Sequence, residues 1–170
     1  MNEYLAEREL WWPVNKKLLT SYLDRSHTKD DKDGTLEWFK NGDRHRDDDK
    51  PAVIYWDSSL TWYKNGEQHR DNDKPAVISR DGKLEWCKNG KWHRDGDMPA
   101  VIGADDELLW YKNSLLHRVT GPAMINSNTE HKYLINGDNI TEEVNAWLKT
   151  RKYKYPFTPE QQVEFTLTFG

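Results

Sequence analysis

Short apolar stretches alternate with polar turns along most of this 170-residue chain. The stretch LTWYK at residues 60–64 alternates between two faces with a period of two, which is the pattern of a β-strand. Asn65-Gly66 follows it, and this pair suits the two positive-φ positions of a type I′ hairpin turn. PAVI at residues 75–78 predicts a further strand, with proline at the first position, where a missing N–H disturbs the ladder least. The pattern predicts roughly three short strands per unit, joined by tight turns.

Four landmarks mark a repeat of this unit: a tryptophan, an asparagine-led turn, a His-Arg pair and a Pro-Ala pair. The tryptophans are Trp38, Trp62, Trp86 and Trp110, and the turns begin at Asn41, Asn65, Asn89 and Asn113. The His-Arg pairs begin at His45, His69, His93 and His117, and the Pro-Ala pairs begin at Pro51, Pro75, Pro99 and Pro122. The tryptophans recur every 24 residues, and a partial fifth unit carries Tyr133 in the tryptophan position. Such a unit is shorter than a propeller blade of about 40 residues and must stack on its neighbours to bury its apolar face. We therefore expect a mainly β fold, either an antiparallel meander or a stacked-hairpin array.

Helical patterns flank the repeats on both sides. We expect an N-terminal helical cap at residues 1–32, about four and a half hairpin repeats at residues 33–140 and a C-terminal helical cap at residues 141–170. Together they would form a single compact domain that is α+β overall. Thr141 and the two acids after it predict one C-terminal helix, and Thr158, Pro159 and Gln161 form the capping-box pattern of a second.

Composition and charge narrow the functional classes. The formal net charge is only −4, unlike the basic balance of most nucleic-acid-binding proteins. The segment KTRKYKYPF, from Lys149 to Phe157, mixes basic and aromatic residues as single-strand binders do, but a helix end also attracts basic residues, so nucleic acid is not an expected partner. No signal peptide or membrane span is evident, and the single cysteine, Cys87, fits a reducing compartment. These features predict a cytoplasmic protein without a membrane partner.

The recurring His, Arg and Asp residues leave two interpretations open. In the one we favour, each Arg bonds the Asp-rich link or neighbouring carbonyls, and each His fills a half-buried position in a ladder. In the other, the ladder is a recognition surface, which suits binding better than catalysis because an enzyme needs one asymmetric constellation. The acidic stretch KDDKDG at residues 29–34 lacks the first ligand of a calcium loop, and one cysteine does not suffice for a usual structural zinc site. We expect no metal, no cofactor and no catalytic residue, with Cys87 packed in the interior.

The tryptophans separate into two groups. The four repeat tryptophans recur beside leucines, and we expect them to form the core. Trp56 and Trp92 each occur once in their repeat column, which predicts exposure, and an exposed Trp often marks a binding patch. The predicted partner-binding residues lie in the middle of the array: they are Trp56, Trp92, His69, Arg70, His93 and Arg94.

Units of the form W-Y-x-N-G-x-x-H-R-x-x-G-P-A resemble the HR–GPA repeats of phage and giant-virus proteins, which are similar to MORN-type hairpin repeats. The fourth unit, LLWYKNSLLHRVTGPAMI, is closest, and YLINGDNITEEVNAWL after it resembles the usual ending of such proteins. The first three units differ by an extra residue before proline and by Lys or Met in place of Gly, and Ser114 replaces the turn glycine. The resemblance covers about residues 33–140. It implies a viral, non-enzymatic protein that binds a host protein in the host cytoplasm, as an inhibitor of an antiviral defence system would.

Three functional hypotheses follow. The leading one is a non-enzymatic repeat protein that covers a functional surface of a protein partner and inhibits it sterically. The alternative is a glycan- or cell-wall-binding module, which requires the repeated Trp column to be open to solvent. The second alternative is an enzyme that uses repeat His and Asp residues, which requires one repeat to dominate the others. Open ends of a β-array often pair, so oligomers are a further expectation.

Overall fold

The structure is a computed structural model that describes residues 6, 8, 10, 11, 22, 29–30, 34–126 and 131–170. Its strands are two residues long. In chain order they are β1 (Lys29–Asp30), β2 (Leu36–Glu37), β3 (Phe39–Lys40), β4 (Asp43–Arg44), β5 (Val53–Ile54), β6 (Leu60–Thr61), β7 (Tyr63–Lys64), β8 (Glu67–Gln68), β9 (Val77–Ile78), β10 (Leu84–Glu85), β11 (Cys87–Lys88), β12 (Lys91–Trp92), β13 (Val101–Ile102), β14 (Leu108–Leu109), β15 (Tyr111–Lys112), β16 (Leu115–Leu116), β17 (Met124–Ile125), β18 (His131–Lys132), β19 (Leu134–Ile135) and β20 (Asp138–Asn139). Two helices follow, α1 (Thr141–Arg151) and α2 (Pro159–Phe169).

Ten of these strands form one antiparallel sheet in the order β1-β2-β5-β6-β9-β10-β13-β14-β17-β18. Nine of the ten lie within residues 34–132, and β1 adds a strand at the edge. The remaining strands pair as five small hairpins, which leave the sheet after every second strand. Neighbours in the sheet follow one another along the chain, so the sheet is a meander. The predicted mainly β, antiparallel meander with hairpin repeats is confirmed.

Each repeat tryptophan lies between a strand of the main sheet and the first strand of a hairpin. The N–H of Trp62 donates to the Ala76 carbonyl at 2.8 Å, and its own carbonyl accepts the N–H of His69 at 3.1 Å. The first bond belongs to the sheet and the second to the hairpin, so residues 60–64 do not form one continuous strand. The prediction of roughly three strands per unit was therefore wrong, because the unit from Val53 to Ala76 contains four strands of two residues each.

The predicted type I′ turns are present at the hairpin tips. Asn65 and Gly66 have φ values of 52° and 83°, as this turn requires. Asn113 and Ser114 adopt the same conformation, with φ values of 52° and 66°. The Ser114 hydroxyl accepts the N–H of Trp92 at 3.1 Å, which ties this turn to the preceding unit. The loss of the turn glycine therefore leaves the hairpin shape intact.

The main sheet has two unlike faces. The strand register aligns one apolar row across it: Leu36, Ile54, Leu60, Ile78, Leu84, Ile102 and Leu108. This row packs against the four repeat tryptophans, which are 2–4% exposed, so the predicted tryptophan core is confirmed. The row on the opposite face includes Glu37, Thr61 and Glu85. Hairpin side chains contact this face, where Arg44 bonds Glu37 and Trp92 bonds Glu85.

The described residues of the predicted N-terminal cap contact several repeats. Arg8 pairs with Asp106 at 2.7 Å in the fourth unit, whereas the Trp11 ring lies 5.1 Å from the Arg70 guanidinium in the second. The carbonyl of Tyr22 accepts a hydrogen bond from Arg46 at 2.5 Å. Arg8, Trp11 and Tyr22 therefore contact the fourth, second and first units of the array, and the cap at residues 1–32 stays a prediction. The rest of residues 1–32, apart from β1, lies outside the described residues.

The two C-terminal helices pack against the last unit of the array. The Thr158 hydroxyl accepts the N–H of Gln161 at 3.3 Å, and the Gln161 side chain accepts the N–H of Thr158 at 3.0 Å, which completes the capping box. Tyr133 packs with Val144 of α1 and Phe165 of α2 in a second core cluster. In the described part of the chain, no helix has the length and apolar character needed to cross a membrane.

Candidate functional site

The repeat arginines join consecutive units. Three of the four, Arg70, Arg94 and Arg118, send two nitrogens to both carboxylate oxygens of an aspartate 21 residues earlier, in the link of the preceding unit. The Nε–Oδ1 and Nη2–Oδ2 distances are 2.7 and 3.1 Å for Arg70 and Asp49, 2.8 and 2.8 Å for Arg94 and Asp73, and 2.9 and 3.0 Å for Arg118 and Asp97. Such bidentate pairs fix both distance and orientation. They therefore set the stacking of the units.

The same guanidinium groups also hold the tryptophan core. Arg94 lies over the Trp86 ring at 3.9 Å and donates to the Pro99 carbonyl at 3.4 Å. The Trp86 indole N–H donates to the backbone carbonyl of Asp73 at 3.1 Å, which closes the network. Arg70 repeats this arrangement, and the side chains of Arg70 and Arg94 are only 3% and 2% exposed. The donors of Arg70 and Arg94 are thus engaged inside the array, which argues against a direct contact of these two predicted residues with a partner.

Burial and hydrogen bonding act in opposite directions on the pKa of Asp49. Burial would raise the pKa of Asp49, but hydrogen bonds from Arg70 and Lys74 outweigh it and hold the pKa below its ordinary value. The carboxylate form of Asp49 is thus favoured, which keeps the link between units charged and paired at neutral pH.

Both ring nitrogens of His45, His69 and His93 are engaged. The N–H of Asn89 in the next unit donates to Nδ1 of His69 at 3.2 Å, and Nε2 lies 2.9 Å from the carboxylate of Asp71. Since a backbone N–H only donates, Nδ1 accepts, and the proton of the neutral ring lies on Nε2. His45 and His93 have the same arrangement. The nitrogens of these three rings are thus engaged in bonds to their own unit and to the next.

His69 and His93 line a groove between the second and third units. It encloses 400 Å³ together with Arg70, Arg94 and the Asp-rich links. Comparable grooves of 370 and 230 Å³ lie in the first unit and between the third and fourth units. The structure therefore brings His69, Arg70, His93 and Arg94 together. Their ion-paired side chains line a groove, and similar grooves recur along the array.

Trp56 and Trp92 lie on a different surface. Trp56 is 67% exposed at the turn between β5 and β6, and it borders an open cleft of 350 Å³. Glu85 forms part of the same cleft and accepts a hydrogen bond from the Trp92 indole at 2.8 Å. Trp92 is 37% exposed and packs on Tyr111, with ring centres 5.0 Å apart. The predicted exposure of both tryptophans is confirmed, and both adjoin Glu85. We call this surface the Trp56–Trp92 face; it comprises Tyr55, Trp56, Asp57, Thr61, Gln68, Glu85 and Trp92.

The remaining sequence candidates have structural roles. Cys87 is buried, and desolvation raises the pKa of its thiol to about 12, so it is not a nucleophile at neutral pH. In the basic segment, Phe157 is buried, whereas Tyr155 packs edge-to-face with His131 and its hydroxyl lies 3.5 Å from Arg118. Its aromatic rings are thus used in packing. The described residues contain no group of three or more side chains that could hold a metal ion.

Sequence reasoning missed one exposed apolar pair. Val163 and Leu167 of α2 are 60% and 83% exposed and lie one helical turn apart. Their spacing of four residues was the available signal.

The chain matches no protein-family model, no curated protein and no solved structure.

Proposed function

We propose that this protein is a non-enzymatic binding protein that presents the Trp56–Trp92 face to a protein partner. The observation that carries the proposal is the contrast among the tryptophans. The repeat tryptophans lie in the core at 2–4% exposure, whereas Trp56 is 67% exposed beside a cleft that contains Glu85. Tryptophan is enriched among the residues that contribute most to binding energy in protein interfaces.

The array suits a steric mechanism. Ion pairs of buried arginines with exposed aspartates connect the second, third and fourth units to the units before them, so the surface is ordered before it meets a partner. A preorganised surface loses little conformational entropy on binding. The protein would cover a functional surface of its partner and inhibit it. From the resemblance to phage and giant-virus repeats, we propose a host protein as the partner, a component of an antiviral defence as its class and the host cytoplasm as the compartment.

The structure offers less support for the two other hypotheses. Glycan binding through the repeated Trp column requires open indole rings, but these rings lie in the core under the arginines. Catalysis requires one distinct His-Asp constellation, but His45, His69 and His93 share the same two hydrogen bonds.

Comparative affinity capture tests the proposal. The wild-type protein, a Trp56→Ala/Trp92→Ala variant and a Val163→Ala/Leu167→Ala variant are immobilised and exposed to the same lysate of the source organism or its host. Bound proteins are quantified by mass spectrometry. The α2 variant is the matched control because it removes exposed apolar side chains outside the Trp56–Trp92 face.

We expect one protein to be enriched by the wild type and the α2 variant and to fall at least about tenfold with the Trp variant, since loss of two anchor residues costs more than 1.4 kcal/mol. Equal capture by all three proteins would refute the assignment of this face. Capture lost only with the α2 variant would move the binding surface to the C-terminal helices.

A further inference from the structure

The cleft of the Trp56–Trp92 face carries negative charge and an aromatic wall. Its lining holds two carboxylates, Asp57 and Glu85, and no cationic side chain. Asp57 caps the turn by accepting the N–H of Ser59 at 2.9 Å, and it has no ion-pair partner among the described residues. The exposed indole of Trp56 stands beside it. A carboxylate next to an open tryptophan ring is a favourable setting for a cation.

Glu85 has acceptor capacity left for a ligand. One of its oxygens pairs with Lys83 at 2.6 Å and the other accepts the Trp92 indole N–H at 2.8 Å. A carboxylate offers about four acceptor positions, so these two bonds do not saturate it. Lys83 is itself 38% exposed and lies outside the cleft lining, so its pairing with Glu85 is open to competition.

The first repeat shows which side chain fits this chemistry. There Arg44 donates to Glu37 with an Nε–Oε1 distance of 3.0 Å, and its guanidinium centre lies 5.5 Å from the Tyr63 ring centre. Glu85 stands two units later in the position of Glu37, since 85 minus 37 equals twice 24. Trp92 stands there in the position of Arg44, and the intervening unit carries the shorter Gln68. The carboxylate and the aromatic ring of the Arg44 site thus recur as Glu85 and Tyr111, and the indole N–H of Trp92 takes the place of the arginine there.

We propose that the cleft binds an arginine side chain of the protein partner, with the guanidinium stacked over Trp56 and paired with Glu85 and Asp57. This inference rests on the proposed function and names the partner chemistry that the same face recognises. Arginine suits the site better than lysine because its planar group stacks on aromatic rings and bonds carboxylates in a fork.

A peptide titration followed by ¹H–¹⁵N NMR tests this inference without the natural partner. The probe is acetyl-Gly-Arg-Gly-amide, and the control probe is the citrulline peptide, which keeps the shape but lacks the charge. The Trp56 indole N–H and the Gln68 amide report on the cleft. The variants are Asp57→Asn, Glu85→Gln, Lys83→Ala and Trp56→Ala, and the fold of each is checked by its remaining spectrum.

We expect saturable shifts with the arginine peptide and affinity at least about threefold lower for the citrulline peptide and for Asp57→Asn, Glu85→Gln and Trp56→Ala. Lys83→Ala should strengthen binding, because it removes the competitor for Glu85. This opposite sign separates a direct role of the carboxylate from structural damage. Absence of saturable shifts, or equal affinity for both peptides, would overturn the inference.

The peptide titration tests the arginine site and the affinity capture tests the proposed function, so either claim can fail while the other stands. A partner captured through Trp56 and Trp92, combined with no preference for arginine over citrulline, would leave the proposed function standing and remove this inference. Arginine binding in the cleft, combined with equal capture by wild type and the Trp variant, would support the cleft chemistry and remove the protein-binding assignment of the face.

Discussion

The link between the second and third repeats offers the sharpest test of the architectural role of the His-Arg motif. Asp73 accepts two hydrogen bonds of 2.8 Å from Arg94, and the Arg94 side chain is only 2% exposed. Asp73→Ala would leave this buried guanidinium with the Trp86 ring and the Pro99 carbonyl. Breaking a buried ion pair on one side costs about 3–5 kcal/mol.

The exposure of the Asp73 side chain lowers the expected loss in the free energy of unfolding. The Asp73 side chain is 59% exposed, so water enters beside Arg94 and replaces part of the lost interaction. We expect Asp73→Ala to lower the free energy of unfolding by about 2–3 kcal/mol. Asp73→Asn, which keeps one acceptor and tolerates the positive φ of 52°, should cost about half as much.

Urea denaturation followed by tryptophan fluorescence measures both changes. Lys64→Ala is the matched control: it removes the exposed pair of Lys64 with Asp71, whose nitrogen–oxygen distance is 3.0 Å, and it should cost less than about 1 kcal/mol. If Asp73→Ala lowers the free energy of unfolding no more than Lys64→Ala does, the claim that the Arg-Asp pairs hold the repeats together is refuted.

Three further predictions test other parts of the fold. Trp62→Ala should lower the free energy of unfolding by about 3–5 kcal/mol, whereas Trp56→Ala should change it by less than about 0.5 kcal/mol; equal losses in urea denaturation would contradict the division into core and surface. Gly66→Ala should cost about 1 kcal/mol because Gly66 has a φ of 83° and an added Cβ would lie 3.3 Å from Asp43, and an unchanged midpoint of thermal unfolding would contradict this. Burial and then the charge of Lys112 lower the pKa of His117 below its ordinary 6.5, so the unfolded chain binds the proton more readily and stability should fall as the pH drops through about 6.5. A His117→Asn variant should lose part of this pH dependence between pH 7.5 and 5.5, and an unchanged slope would contradict the assignment.

Local residue chemistry made much of the fold predictable. Asn-Gly pairs select the hairpin turn through their backbone preferences, and the repeated tryptophans beside leucines indicate a shared buried face. Thr158, Pro159 and Gln161 specify a helix start through bonds between near neighbours. Each of these features depends on contacts within a few residues or on the repeat itself.

Features that depend on distant contacts were not predictable. The interruption of the strand at Trp62 arises because its N–H donates to the Ala76 carbonyl, 14 residues later. The contacts of Arg8 with Asp106 and of Tyr22 with Arg46 join segments that no local pattern connects. The bonds of Arg70 and Arg94 to the Asp-rich links were expected, but the position of both guanidinium groups over tryptophan rings depends on the packing of separate segments.

The most direct test of the central claim is the dissociation constant of the captured partner, measured by isothermal titration calorimetry with purified proteins. The account predicts that Trp56→Ala/Trp92→Ala weakens binding at least about thirtyfold, as expected for hot-spot residues worth 2 kcal/mol or more. It also predicts that Val163→Ala/Leu167→Ala binds as tightly as the wild type. Unchanged affinity in the Trp variant would show that the partner binds elsewhere and would contradict the account.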